Sequence, residues 1–211
     1  MEYTSYKTAR DNAWRALIQN NITALPVQIS KICKADGILL LPYSKAGALL
    51  SEAGMRQMME NDGFSLIIAN SAQRIKCIFY NDECNVQRQR FTIAHEYGHF
   101  LCGHIRENIP TMRNREPSDN DLPAEQQANV VAARILAPAC VLWALNVHEA
   151  GTIASLCNIS QAAAEWRMKR LNLLYDRERE FLATRGCSCF LQSPLEREVY
   201  SQFETFIKSH K

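Results

Sequence analysis

The chain has 211 residues, a hydrophobic fraction of 47% and a net charge of +2. That apolar content suits a packed core of one domain, or of one domain with a small appendage, and argues against disorder. A charge so near zero supplies no bulk field toward nucleic acid or a membrane surface, and no stretch is expected to be long enough to span a bilayer.

In chain order, residues 5–20 read as an amphipathic helix with Ala9, Ala13, Trp14, Leu17 and Ile18 on one face. A second helix is expected from Leu25, with Ile29, Ile32 and Cys33 inward and Asp36-Gly37 as its stop. Residues 38–41 read as a short buried strand closed by Pro42. The stretch 44–61 is ambiguous: its glycines weaken a helix, and Met55, Met58 and Met59 suit adaptable packing. Asp62-Gly63 turns the chain, and 64–70 and 74–80 read as two strands of an antiparallel hairpin.

A further helix is expected to start near Asn85, with Arg88 and Arg90 on a solvated face. A charged loop, 106–121, separates it from a helix over 123–138 that Pro123 opens and Pro138 ends. Short helices follow at 139–145, 152–157 and 160–174. The last two resemble a helix-turn-helix, with Asn158 at the turn and Ser160 as N-cap. Its second helix carries Trp166, Arg167, Lys169 and Arg170, yet its first turn is three alanines where a recognition helix shows polar residues. A packed helical cap is therefore preferred, and direct DNA binding is not expected. In the tail, Ser193 and Glu196 form a capping-box pattern ahead of a helix with Leu195, Val199, Phe203, Phe206 and Ile207 on one stripe.

Eight cysteines are present. Cys33, Cys77, Cys102, Cys140 and Cys157 sit singly among apolar residues, the pattern of reduced, buried thiols. The polar N-terminus does not read as a signal peptide, so a cytoplasmic setting is expected. Cys187 and Cys189 form a C-x-C pair, read as a plain loop rather than as a redox or metal site.

The chemistry concentrates at His95-Glu96-x-x-His99. On a helix, residues four apart lie on one face, so the two imidazoles can share one zinc ion. Glu96 points off that line and can reach a water at the ion without ligating it. Gly98 is a poor helix former, but its small size lets another backbone or a substrate come close. Gly103 is a plausible stop. His104, five residues after His99, misses the spacing of a third histidine ligand and reads as a surface or packing residue. A third ligand is needed. Glu125 shares a stripe with Ala128, Asn129, Ala132 and Leu136, where a carboxylate is costly unless paired, and it is favoured. Glu116, Asp119 and Asp121 are rivals in loop sequence, and the plain alternative for Glu125 is a first-turn carboxylate favoured by the helix dipole.

The run from Arg90 to His99, followed by Glu125, Ala128, Asn129, Ala132, Ala133, Leu136 and Pro138 at fixed spacing, resembles the ImmA/IrrE family of metallopeptidases. The resemblance covers about residues 25–174. Tyr97 stands where members often carry Leu, and Val131 where they carry an aromatic residue; neither touches the ligand set. The resemblance implies Zn2+ held by His95, His99 and Glu125, with Glu96 as general base. It implies a mainly helical, zincin-like α+β fold with a small antiparallel sheet: a peptidase domain over 1–145 and a helical, helix-turn-helix-like appendage and tail over 146–211. It also implies a zinc endopeptidase whose protein substrate is a helix-turn-helix repressor of a mobile element or stress regulon, cut to release transcription. The competing expectations are a non-cleaving repressor-binding or antitoxin-type module on the same fold, and a transcription factor using residues 153–174.

Overall fold

The structure, a computed structural model, describes residues 3–46, 61–69, 73–105, 107 and 122–211. Ten helices and three strands are found among them: α1 Tyr3–Gln19, α2 Ile29–Ala35, β1 Ile38–Pro42, α3 Tyr43–Ala46, β2 Gly63–Ala69, β3 Arg74–Tyr80, α4 Val86–Leu101, α5 Pro123–Leu136, α6 Ala139–Ala144, α7 Ala150–Cys157, α8 Gln161–Arg185, α9 Pro194–Gln202 and α10 Glu204–Ser209. The fold is α+β and mainly helical. The methionines of the 44–61 stretch and the rival acids Glu116, Asp119 and Asp121 lie outside the described residues. Contacts divide the chain into two compact units, one of Met1–Ala13 with Gln28–Ala132, the other of Trp14–Val27 with Ala133–Lys211.

The first unit is built on a three-stranded sheet of order β1-β3-β2. The expected hairpin is present: β2 runs antiparallel to β3, with Gly63 opposite Tyr80 and Ala69 opposite Arg74. The sheet as a whole is mixed rather than antiparallel, because β1 lies parallel to β3 on its other edge, Ile38 opposite Lys76. A parallel neighbour has no tight turn joining it to its partner, so it leaves no local signature in sequence. Ala46, Phe64, Cys77 and Phe79 form a buried cluster on the sheet. The Phe64 and Phe79 rings stack at 4.7 Å. Helix α4 packs on β2 and β3. Gly63 permits that approach: a Cβ there would meet Thr92 Cγ2 at 2.3 Å and the Phe79 carbonyl at 2.8 Å. Helix α2 starts at Ile29, after Gln28, and not at Leu25, where the chain bends through Pro26.

In the second unit, Trp14 is fully buried and the Arg134 guanidinium sits 5.5 Å over its ring. The expected helix-turn-helix-like pair is α7 and α8: Asn158 takes the left-handed conformation that ends α7, and Ser160 caps α8 by accepting from the Ala163 amide at 3.2 Å. Helix α8 runs on to Arg185, through the charged stretch after Leu174, because Leu171 and Glu178 keep one face buried. Arg167 is no surface cation: it is buried and donates to the Ala137 carbonyl at 2.7 Å. The expected tail helix is two, α9 and α10, broken at the buried Phe203.

One stretch, Pro123–Ala144, does reach the length and apolarity of a membrane span, contrary to the expectation above. Its most apolar part is mostly buried, and it is interrupted between Leu136 and Ala139.

A candidate metal centre

Helix α4 begins at the residue the sequence pointed to. The Asn85 side chain caps it, accepting from the Arg88 amide at 2.9 Å. The two arginines of its first turns do not form a fully solvated face: Arg88 is partly exposed and pairs with Asp62, and Arg90 is buried. The helix ends in a Schellman-type stop. Gly103 is left-handed at φ +73°, and the His104 amide closes back on the His99 carbonyl at 3.0 Å. Helix α5 lies directly against this helix at Gly98, where a Cβ would meet the Ala128 carbonyl oxygen at 2.9 Å and the Ala128 Cα at 3.0 Å.

That close crossing brings Glu125, in the first turn of α5, onto the two histidines of α4. His95 Nε2 and His99 Nε2 are 3.1 Å apart. Each lies 3.2 Å from one oxygen of the Glu125 carboxylate. All three side chains are buried. Two donors held roughly 2.0–2.1 Å from one tetrahedral ion stand about 3.3 Å apart, so these spacings match the edges of a zinc coordination shell.

The chemistry of the donors points the same way. The Asn129 amide oxygen lies 2.8 Å from His95 Nδ1. An amide oxygen only accepts, so Nδ1 carries the proton and the Nε2 lone pair of a neutral ring faces the Glu125 carboxylate. Two acceptors at that distance inside a buried site repel unless a cation lies between them. Burial pushes His104 below its ordinary value.

Glu96 is fully buried one residue along the helix, turned toward β2. The Ser65 hydroxyl donates to its Oε2 at 2.6 Å. Tyr97, on the same helix, donates its hydroxyl to Asp36 and is buried, so it does not face the metal ligands. Burial and the Asp36 carboxylate push the Tyr97 hydroxyl well above its ordinary range.

The structure thus brings together His95, His99 and Glu125, with Glu96 adjacent. Three neighbours were not assigned a role from the sequence, Ser65, Gln127 and Asn129, and His104, read there as a surface or packing residue, lies within hydrogen-bond distance of His99 and Gln127. Asn129 had a legible signal, since it lies four residues after Glu125 on the same stripe. Ser65 had none, because nothing local marks a strand serine that reaches a glutamate 31 residues away.

No curated protein matches the chain. The profile of peptidase family M78, the IrrE N-terminal-like domain, matches residues 56–175, a span that holds both helices of the site and the β2–β3 hairpin. On that match, which covers more than half of its length, the chain belongs to the IrrE N-terminal-like peptidase family.

Proposed function

We propose that this chain is a zinc-dependent endopeptidase in which His95, His99 and Glu125 hold the ion and Glu96 is the general base. The observation that carries the reading is the set of inward-facing acceptors: two imidazole nitrogens and a carboxylate at 3.1–3.2 Å, with a second buried carboxylate beside them. A purely structural site has no need of that second carboxylate. Zinc, when bound, supplies a Lewis acid that polarises a peptide carbonyl and makes water nucleophilic near neutral pH. Glu96 takes the proton of the attacking water on a carboxylate oxygen and returns it to the leaving amine nitrogen. Ser65 holds that carboxylate in one orientation through its hydroxyl. Residues 1–145 form the peptidase proper in this reading, and 146–211 an appendage.

The substrate we propose is a helix-turn-helix repressor of a mobile element or stress regulon, and the setting the cytoplasm. The substrate rests on the family likeness of the motif. The setting is supported by the buried free thiols of Cys33, Cys77 and Cys140. The test incubates the purified zinc-loaded protein with the repressor encoded beside its gene. Fragments from the parent protein, and a loss of about 10²–10⁴-fold in rate with Glu96→Ala at unchanged metal content, are expected. Glu125→Ala and His95→Ala should each lose the metal itself. A Glu96→Ala protein that cuts as fast as the parent ends this mechanism. A repressor that is bound tightly by the zinc-loaded parent but never cut favours a non-cleaving binding module.

A further inference from the structure

We infer that His104 is a positioning residue for the metal centre: it accepts the Nδ1 proton of His99, and Gln127 holds it in the form that can do so. The inference rests on the metal-binding reading above.

The argument follows hydrogen-bond direction along three side chains. The Gln127 amide nitrogen is turned to the Ser5 carbonyl, at a long 3.5 Å, which leaves the amide oxygen facing His104. That oxygen is 2.7 Å from His104 Nε2. An amide oxygen only accepts, so His104 donates from Nε2, and in the neutral ring Nδ1 is then an acceptor. His104 Nδ1 lies 3.1 Å from His99 Nδ1. His99 must therefore carry its proton on Nδ1, and its Nε2 lone pair is turned to Glu125 and His95. A wrong tautomer would place an N–H where a metal ligand needs a lone pair. Partners that fix the tautomer and ring orientation of a metal-binding imidazole are commonly worth 10–100-fold in metal affinity.

The placement of His104 follows from how α4 ends. The Schellman-type closure of the His104 amide on the His99 carbonyl folds the chain back by one turn, and the left-handed Gly103 allows it. The two rings then meet edge to face, with centroids 5.2 Å apart and planes at 70°. His95 is oriented by a different group, Asn129 of α5. The two imidazoles are thus set through different partners, His95 by Asn129 of α5 directly and His99 by His104 beyond the stop of its own helix, with Gln127 of α5 behind it.

The test measures zinc affinity by competition with a chromophoric chelator, beside the visible absorption of the cobalt(II)-substituted protein. His104→Phe fills the ring's volume but cannot accept a hydrogen bond. It should bind zinc about 10–100-fold more weakly and shift the cobalt spectrum, with far-ultraviolet circular dichroism unchanged. His104→Asn keeps an acceptor and should recover most of the affinity. Gln127→Leu, which leaves His104 in place, should move affinity in the same direction by a smaller factor, and it carries the test should the Phe variant fail to fold. Wild-type affinity in both His104→Phe and Gln127→Leu overturns the inference, as does an Asn variant no better than Phe. Failure of the parent protein to take up zinc overturns the metal-binding reading first and this inference with it.

Discussion

The Ser65 hydroxyl, 2.6 Å from a fully buried Glu96, shows how much of this site depends on single hydrogen bonds. A hydrogen bond to a charged group contributes about 1.5–3 kcal/mol, so Ser65→Ala should lower kcat by about tenfold or more. Metal content should not change, because Ser65 touches none of the three ligands by any hydrogen bond described above. Atomic absorption beside steady-state kinetics checks both halves; equal loss of zinc and rate would assign Ser65 to folding instead of the base. At this scale the sequence was informative where chemistry follows helical period. The spacing of His95 and His99, and the stripe that carries Glu125 and Asn129, could be read from residue order alone. Ser65, His104 and Gln127 could not, because each meets its partner through a turn or a packing contact that no local pattern encodes.

Helix α4 and helix α5 meet where Gly98 faces Ala128, and two opposing effects decide what a larger residue does there. Gly98→Ala would gain up to about 1 kcal/mol of helix propensity. Its Cβ, however, would sit 2.9 Å from the Ala128 carbonyl oxygen and 3.2 Å from Val131 Cβ. The closer of these is backbone, which cannot rotate away, and overpacking of this kind costs about 1–3 kcal/mol. The clash wins. We expect a lower urea midpoint and weaker zinc binding together, since the same separation moves Glu125 off the histidines; a variant more stable than the parent would show that the helices part freely. Element boundaries were largely legible: the hairpin, α4 from Asn85, and α5 between its two prolines all stand where period and caps put them. The β1–β3 pairing, the length of α8 and the break at Phe203 were not. Strand partners are chosen by tertiary packing, a charged run can still keep a buried face, and an unbroken apolar stripe does not reveal a kink.

On the scale of the whole molecule, the buried thiols offer a readout of folding. Burial pushes the Cys33 and Cys140 thiols up to about 12, and Cys77 also above its ordinary value. The unfolded chain releases those protons near 9, the folded one only near 12. Stability from these groups is therefore fully present below pH 9 and is lost as pH rises toward 12. The urea midpoint should fall between pH 9 and 11, and a thiol reagent at pH 8 should label the exposed Cys187 first and the four buried cysteines only after unfolding. Rapid labelling of Cys140 in the native protein would contradict its burial. The split origin of the ligand set has one more consequence. Because Glu125 comes from a different helix than its two partners, a captured ion rivets distant stretches of chain, and heat and chelator then pull on the same joint. Zinc at a hundredfold excess over its dissociation constant would add about 2.7 kcal/mol to the folded state, and a chelator would return the melting temperature to that of the bare polypeptide.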